Sequence, residues 1–202
     1  MSAVDLYEEF SAAASKIDAT HIRRMRELGM RESTLFADRP RFGAERIQTF
    51  DSDGSYQPTD DGMPALLIAD GIALFADVGW SAVEEIVAIS TSNPSRWWWR
   101  SGDCPILGRA LLEIGGTGVV PGDDGSVTVY DNPLAWAIAD DDNGICVIDW
   151  AHFDPDALFH QVEIVRCAAP ALAERLKRRR EELFRPAYRI TVARDQRGLE
   201  AA

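Results

Sequence analysis

The segment VTVYDNPLAWAIADDDNGICVIDW, residues 127–150, constrains the fold more than any other part of the chain. An apolar strand pattern ends at Asp131, and Asn132 and Pro133 follow with the residue types that favour a helix start. Asn143 and the glycine after it end the helical pattern, and ICVIDW is the near-continuous apolar run typical of a strand buried on both faces. The segment therefore predicts a strand–helix–strand unit with parallel strands.

The same alternation continues towards the C-terminus. DPDALFHQV and APALAERLKRRREELF have helical patterns, whereas EIVRCA and YRITVA have strand patterns. We therefore expect an α/β unit over residues 119–192, followed by a flexible tail at residues 193–202.

The first half of the chain has a different pattern. Residues 1–43 predict a helical segment in which Asp18 or Thr20 caps the second helix and Gly29 follows its end. From residue 44 the apolar period changes to two. ERIQTF-DSDG-SYQPT predicts a hairpin, and PALLIAD, IALFADV and VEEIVAIS predict three further strands.

Residues 44–118 are thus expected to form an antiparallel β-region with a tryptophan-rich segment. Near its end, CPILGRALLEIGG predicts a short amphipathic helix that ends at Gly115. The predicted fold class is α/β in one compact fold, with N-terminal helices, central antiparallel strands and a C-terminal parallel unit.

The charge of the chain restricts its partners. The net charge is −12, and a protein that binds duplex DNA through its phosphates is normally basic on at least one face. We therefore expect no binding of duplex DNA, and we expect an acidic surface that competes for basic surfaces on other proteins. The basic helix over residues 175–180 is partly offset by neighbouring glutamates and is predicted to be a solvated face.

Cysteine usage and hydropathy predict a cytoplasmic protein. The three cysteines are widely spaced and form no C-x-x-C motif, so neither a disulfide framework nor a zinc site is predicted. The N-terminus MSAVDLYEEF has no pattern of a secretion signal, and no apolar run is long enough to cross a membrane. No cofactor and no membrane partner are expected.

Carboxylates at strand ends form one candidate site. Asp131 and Asp149 follow predicted strands that are neighbours or near-neighbours, where a divalent cation could bind, although Asp131 is also well placed to cap a helix. His152 and Asp154 form a weak His-x-Asp pattern that could share a metal, and Asp154 is equally explained as a helix cap.

The segment SRWWWRSG is the second candidate site. Neighbouring residues of a strand point to opposite sides, so Trp97, Trp98 and Trp99 cannot all face one core. Together with Arg96 and Arg100 they have the composition of interface hot spots and of surfaces that stack on bases. Alternatively, one or two of the tryptophans fill the seam between the two halves of the fold.

A resemblance to a known family adds to this interpretation. VTVYDNPLAWAIA resembles the first strand and helix of Toprim domains in phage and plasmid primases, and ICVIDW resembles their second strand. The resemblance covers roughly residues 62–182 and implies a parallel βαβαβ unit of Toprim- or Rossmann-like type. PSRWWWRSG and NPLAW…VIDW are similar to segments of uncharacterised proteins from proteobacterial prophages and mobile elements.

The chain departs from the Toprim pattern at its metal ligands. Asp131 stands in place of the family's catalytic glutamate, and Asn132 stands in place of the following glycine. The third strand ends in Cys167-Ala168-Ala169, where the family has Asp-x-Asp. The resemblance therefore implies a scaffold that has lost its metal chemistry.

We expect a small acidic protein of phage or mobile-element type that acts without catalysis, by binding another protein with a basic surface. An inhibitor of a host nucleic-acid-binding system, comparable to an anti-CRISPR protein, fits this description. The residues expected to bind the partner are Arg96, Trp97, Trp98, Trp99, Arg100, Asp123, Asp124, Asp140, Asp141 and Asp142. The alternative is a Toprim-like replication accessory protein or enzyme that retains a metal or nucleotide site at Asp131, Asp149 and His152.

Overall fold

The computed structural model describes residues 5–35, 41–72, 82–108, 118–139 and 143–183. Within these segments the fold is mixed α/β, as the sequence predicts. The helices are α1 (Leu6–Ala14), α2 (Ala19–Glu27), α3 (Glu32–Leu35), α4 (Pro133–Ala139), α5 (Pro155–Leu158) and α6 (Pro170–Leu183). The strands are β1 (Phe42–Phe50), β2 (Ser55–Pro58), β3 (Met63–Ile72), β4 (Ala82–Ser90), β5 (Trp97–Trp99), β6 (Ile106–Leu107), β7 (Ser126–Tyr130), β8 (Gly144–Val147) and β9 (Ile164–Cys167).

The first five strands form a closed barrel in the order β1-β2-β5-β4-β3. β1 and β2 form the predicted antiparallel hairpin, in which Gly54 has the positive φ of 74° that the turn requires. β3 pairs with β1 and with β4, and β5 pairs with β4, all antiparallel. A parallel pair between Ser55 of β2 and Trp99 of β5 closes the ring. The sequence predicts the antiparallel strands but not this closure, because periodicity carries no information on long-range pairing.

The remaining strands form a four-stranded sheet in the order β6-β8-β7-β9. β7 pairs in parallel with both β8 and β9, whereas β6 pairs antiparallel with β8. The helix predicted for CPILGRALLEIGG is wrong at Ile106 and Leu107, which form β6, and its part from residue 109 onwards lies outside the described residues. Both side chains are buried, so their apolar character reflects a sheet position and not a helix face.

Three apolar cores hold these layers together. The barrel interior contains Leu67, Ile86 and Trp98, and α1 covers it with Phe10 and Ala13. The contact is close, because a side chain at Gly43 of β1 would meet the Cβ atom of Ala13 at 2.9 Å. A glycine is therefore required where α1 crosses β1.

A second core joins the barrel to the sheet. Leu66 and Ile89 on the outer face of the barrel pack with Met25 of α2, Trp136 of α4 and Cys146 of β8. The third core lies on the opposite face of the sheet, beneath α5 and α6. The barrel and the sheet thus share a continuous apolar interface.

Local predictions at the helix ends are confirmed where the structure describes them. Asp18 caps α2 by accepting the backbone N–H groups of Thr20 and His21, and Gly29 follows the helix with a φ of 96°. Most of the predicted strand IALFADV, the predicted strand YRITVA and the tail lie outside the described residues. Among the described helices, none has both the length and the apolar character needed to cross a bilayer.

Candidate functional site

Two of the predicted carboxylates follow neighbouring strands at one edge of the four-stranded sheet. Asp131 comes directly after β7, and Asp149 comes two residues after Val147, the last residue of β8. Because β7 and β8 are parallel, both chains leave the sheet at the same edge. β9 is also parallel to β7, and Cys167 is its last residue. This edge gathers the carboxyl ends of three strands, a place where open α/β sheets bind ligands.

Asn132, and not Asp131, caps helix α4. The Oδ1 atom of Asn132 accepts hydrogen bonds from the backbone N–H groups of Leu134 at 2.8 Å and Ala135 at 3.3 Å. Asp131 is exposed, and its carboxylate makes no hydrogen bond or ion pair with any residue of the described segments. Helix capping therefore accounts for Asn132 and leaves the carboxylate of Asp131 open to solvent.

Asp149 is engaged in the turn that follows β8. Its Oδ1 atom accepts the backbone N–H of Ala151 at 2.8 Å, and its Oδ2 atom lies 2.6 Å from Nδ1 of His152. Partial burial acts to raise the pKa of Asp149, but the hydrogen bonds from His152 and Ala151 outweigh this effect and hold the pKa below its ordinary value. Asp149 and His152 thus stabilise a turn.

The edge offers few further metal ligands. Within the described segments no three His, Cys, Asp or Glu side chains are grouped so that they could hold a metal ion. Burial raises the pKa of the Cys167 thiol, and the charge of Asp131 raises it further, so the thiol stays protonated. Asp154 caps α5 by accepting the backbone N–H groups of Asp156 and Ala157.

A cation–π contact lies beside this edge. The Cζ atom of Arg175 on α6 is 4.2 Å from the ring centroid of Trp150, which meets Phe153 edge-on at 5.4 Å. Burial lowers the pKa of Arg175, and the charge of Asp131 opposes this effect. Arg175 therefore packs α6 against the turn after β8, and the basic helix is not a uniformly solvated face.

The three consecutive tryptophans of β5 point to two different cores. Trp98 is 3% exposed and lies inside the barrel, where its Nε1 atom donates to Oδ1 of Asp51 at 3.3 Å. Trp97 and Trp99 are half-buried and pack against the core shared with the sheet, with ring centroids 6.1 Å apart. The predicted alternation is confirmed, and both sides of the strand are packed.

The two arginines that flank the tryptophans differ in exposure. Arg96 is exposed, lies 5.1 Å over the ring of Trp98 and is 3.4 Å from Oδ1 of Asp51. Arg100 is mostly buried, and its Nε atom donates to both carboxylate oxygens of Glu9, at 2.9 and 3.0 Å. Of the two guanidinium groups, that of Arg96 is the one that faces solvent.

Glu85 is a buried carboxylate that the sequence analysis missed. It is fully buried on β4 and accepts hydrogen bonds from the backbone N–H groups of Arg100, Ser101 and Gly102 and from the Ser101 hydroxyl, at 2.8 to 2.9 Å. These bonds hold the chain that leaves β5. The strand pattern VEEIVAIS contained two adjacent glutamates, and only one of them could face solvent. This alternation along the strand is the sequence signal that one of the two glutamates is buried.

The predicted acidic residues are found in several places. Asp123 and Asp124 are exposed in the turn before β7. Hydrogen bonds from Ser126 and Arg166 lower the pKa of Asp124, and Arg166 lies 2.9 Å from its Oδ2 atom. Asp140, Asp141 and Asp142 lie outside the described residues.

Three further carboxylates lie in the chains that leave two strands of the barrel. Asp60 and Asp61 follow β2, and Asp103 follows the chain that leaves β5. β2 and β5 are parallel, so both chains leave their strands in the same direction. All three side chains are exposed and make no hydrogen bond or ion pair with the residues that the structure describes. We call these three residues the acidic rim.

A groove of about 460 Å³ lies between α2 and the turn after β4. Its lining includes Thr20, His21, Arg23 and Arg24 from α2, and Thr91 and Ser92 from the turn. The groove is within the volume range of ligand-binding pockets. Sequence reasoning did not find it, because helix α2 and the turn are far apart in the chain.

Comparisons of the chain with protein-family models, curated proteins and solved structures find no match.

Proposed function

We propose that the protein acts without catalysis, by binding a basic surface of another protein. The observation that supports this proposal is the acidic rim of Asp60, Asp61 and Asp103, on a chain with a net charge of −12. Carboxylates that have no cationic neighbour in the described segments contribute their full negative potential to the surface. Such a surface attracts a basic partner and accelerates its association.

The polar groups at the carboxyl edge of the sheet favour a binding function over catalysis. Asp149 is hydrogen-bonded to His152, Asp154 caps α5, and the thiol of Cys167 is held in its protonated form. A catalytic set needs a nucleophile or base whose proton affinity matches its task, together with a group that orients it. The described residues of this edge do not provide such a set.

The most specific form of the proposal is an inhibitor of a nucleic-acid-binding protein. Carboxylates spaced along a surface present negative charge where the partner normally binds phosphates. We extend the proposal to a target in a host defence system, comparable to the targets of anti-CRISPR proteins. On this proposal Asp123 and Arg96 add polar contacts at the edge of the interface.

The experiment measures binding to the partner as a function of salt and of charge. The partner is captured with the tagged protein, purified and titrated at about 0.1 M and about 1 M salt, where the Debye length falls from about 10 Å to about 3 Å. We expect the affinity to fall steeply, and we expect nucleic acid to compete with the protein for the partner.

Charge-neutral variants locate the surface. Asp60→Asn with Asp61→Asn should weaken binding at low salt, whereas the control Glu181→Gln with Glu182→Gln removes the same charge from α6 and should change it much less. Binding that is insensitive to salt, or equal effects of the two double variants, would contradict the proposal.

A second candidate function is a metal or nucleotide site of Toprim- or Rossmann-like type at the carboxyl edge of the sheet. The observation that favours it is the exposed carboxylate of Asp131, which follows β7 and makes no hydrogen bond or ion pair in the described segments. A ligand at about 100 times its Kd would add about 2.7 kcal/mol to the stability of the protein. A rise in Tm with millimolar Mg²⁺ or Mn²⁺ that is lost in Asp131→Asn would support a metal site, and an unchanged Tm would exclude it.

A further inference from the structure

The groove between α2 and the barrel concentrates hydrogen-bond donors in an acidic protein. Helix α2 contains three arginines in nine residues, and two of them, Arg23 and Arg24, line the groove together with His21 and one carboxylate, that of Glu27. The hydroxyl residues Thr20 and Ser92 lie on opposite walls. This basic groove thus carries positive charge on a chain whose net charge is −12.

Arg24 holds the two walls at a defined distance. One of its terminal nitrogens donates to the backbone carbonyl of Thr91 at 2.9 Å, across the groove, and the other lies 3.2 Å from Oε2 of Glu27. Thr91 is fixed in turn, since its hydroxyl donates to the carbonyl of Pro64 at 3.3 Å. The groove is thus formed by hydrogen-bonded elements before any ligand arrives, which lowers the entropic cost of binding.

Arg23 is the residue whose charge remains available. It is exposed, and it makes no hydrogen bond or ion pair with the described part of the chain, whereas Arg24 is partly neutralised by Glu27. The backbone N–H groups at the start of α2 are already bound by the carboxylate of Asp18. An anion in the groove would therefore be held by side chains and not by the end of the helix.

We infer that this groove binds a small organic phosphate. Guanidinium groups and hydroxyls that converge from two walls suit the several acceptor oxygens of a phosphate. The volume of about 460 Å³ exceeds what the phosphate group alone needs and leaves room for an organic body. The inference is independent of the proposed protein partner, because the groove and the acidic rim are formed by different elements.

The experiment titrates the full chain with inorganic phosphate, adenosine 5′-monophosphate and citrate, by calorimetry at low salt. We expect both phosphates to bind, the nucleotide more tightly because its body fills the groove, and citrate to bind more weakly than either. Absence of heat with both phosphates at about 10 mM, which is above the usual range of KM values for small substrates, would overturn the inference. Equal binding of citrate would overturn the preference for phosphate.

A matched pair of variants places the binding in the groove. Arg23→Gln should weaken phosphate binding by about tenfold or more, since a hydrogen bond to a charged group is lost. Arg178→Gln on α6 removes one exposed arginine elsewhere and should leave the affinity unchanged. Equal affinities of the two variants would show that binding is a general charge effect and would overturn the inference. Unfolding curves of both variants check that the fold is intact.

Discussion

The Nε atom of Arg100 lies 2.9 Å from Oε1 of Glu9, and this ion pair ties helix α1 to the end of strand β5. Both side chains are about 15% exposed, so water screens the pair less than it would at the surface. The pair lies beside Tyr56, whose ring is 6.0 Å from the guanidinium group of Arg100. The Glu9–Arg100 ion pair therefore holds α1 over the barrel interior.

Replacing Glu9 with Gln should therefore destabilise the protein. The variant leaves the charge of Arg100 partly buried without its partner, at an expected cost of about 1–3 kcal/mol, between the values for surface and for buried pairs. Urea unfolding measures the difference. Glu8→Gln is the matched control, because Glu8 is exposed on the same helix, and it should change the stability by less than about 0.5 kcal/mol. Equal losses would show that Glu9 acts only through the helix.

Replacing Glu85 with Gln should lower the stability of the protein more than replacing Glu9 does. A carboxylate can accept all the hydrogen bonds from the segment that follows β5, whereas the amide nitrogen of Gln would face donors such as the N–H of Gly102. We expect a loss of about 2–4 kcal/mol, which combines lost bonds with buried unsatisfied donors. Thermal unfolding measures it, and Glu163→Gln on the surface is the control. A loss below about 1 kcal/mol would mean that water replaces the carboxylate.

At the start of α4, Asn132 caps the helix and the adjacent Asp131 does not. Asn132→Ala should cost about 1 kcal/mol, because the N-cap hydrogen bonds to Leu134 and Ala135 are lost. Asp131→Ala should cost less than about 0.5 kcal/mol, because its carboxylate makes no such bond in the described segments. Urea unfolding of the two variants is the measurement. A larger loss of stability in Asp131→Ala than in Asn132→Ala would show that Asp131 is the cap.

Asp149 should contribute to the acid sensitivity of the fold. Its pKa is lower in the folded protein than in the unfolded chain, so its contribution to stability is complete above the unfolded value of about 4 and is lost as the pH falls through the folded value. Asp149→Asn cannot titrate. The variant should therefore lose less stability than the wild type between about pH 5 and about pH 2, as urea unfolding at each pH would show. Parallel curves would contradict this assignment.

The local features of the fold could be predicted from the sequence because they depend on neighbouring residues. Asp18 at the start of α2, Gly29 after its end, the DSDG turn and the strand–helix–strand unit around residues 127–150 are examples. Ile106 and Leu107 were assigned to a helix because an apolar run of this length fits either structure. Only their pairing with β8, a long-range contact, decides between them.

The candidate sites were harder to predict, because their chemistry depends on which elements meet. The sequence identified Asp131 and Asp149 as strand-end residues, but not that Asp149 would bond His152. It showed that Trp97, Trp98 and Trp99 alternate in direction and that one or two of them could fill the seam between the two halves, but not which of them lie there. The groove at Arg23 and the acidic rim arise from the packing of distant segments.

The parallel contact between Ser55 and Trp99 has a consequence for synthesis of the chain. The barrel cannot close until Trp99 has emerged from the ribosome, because β2 has no β5 to pair with before then. Until then the nascent sheet has β2 and β4 as open edges, which other chains can pair with. Completion of the ring is therefore a late, non-local event that should set the rate of folding. Chaperone dependence should be greatest for nascent chains that end just before β5.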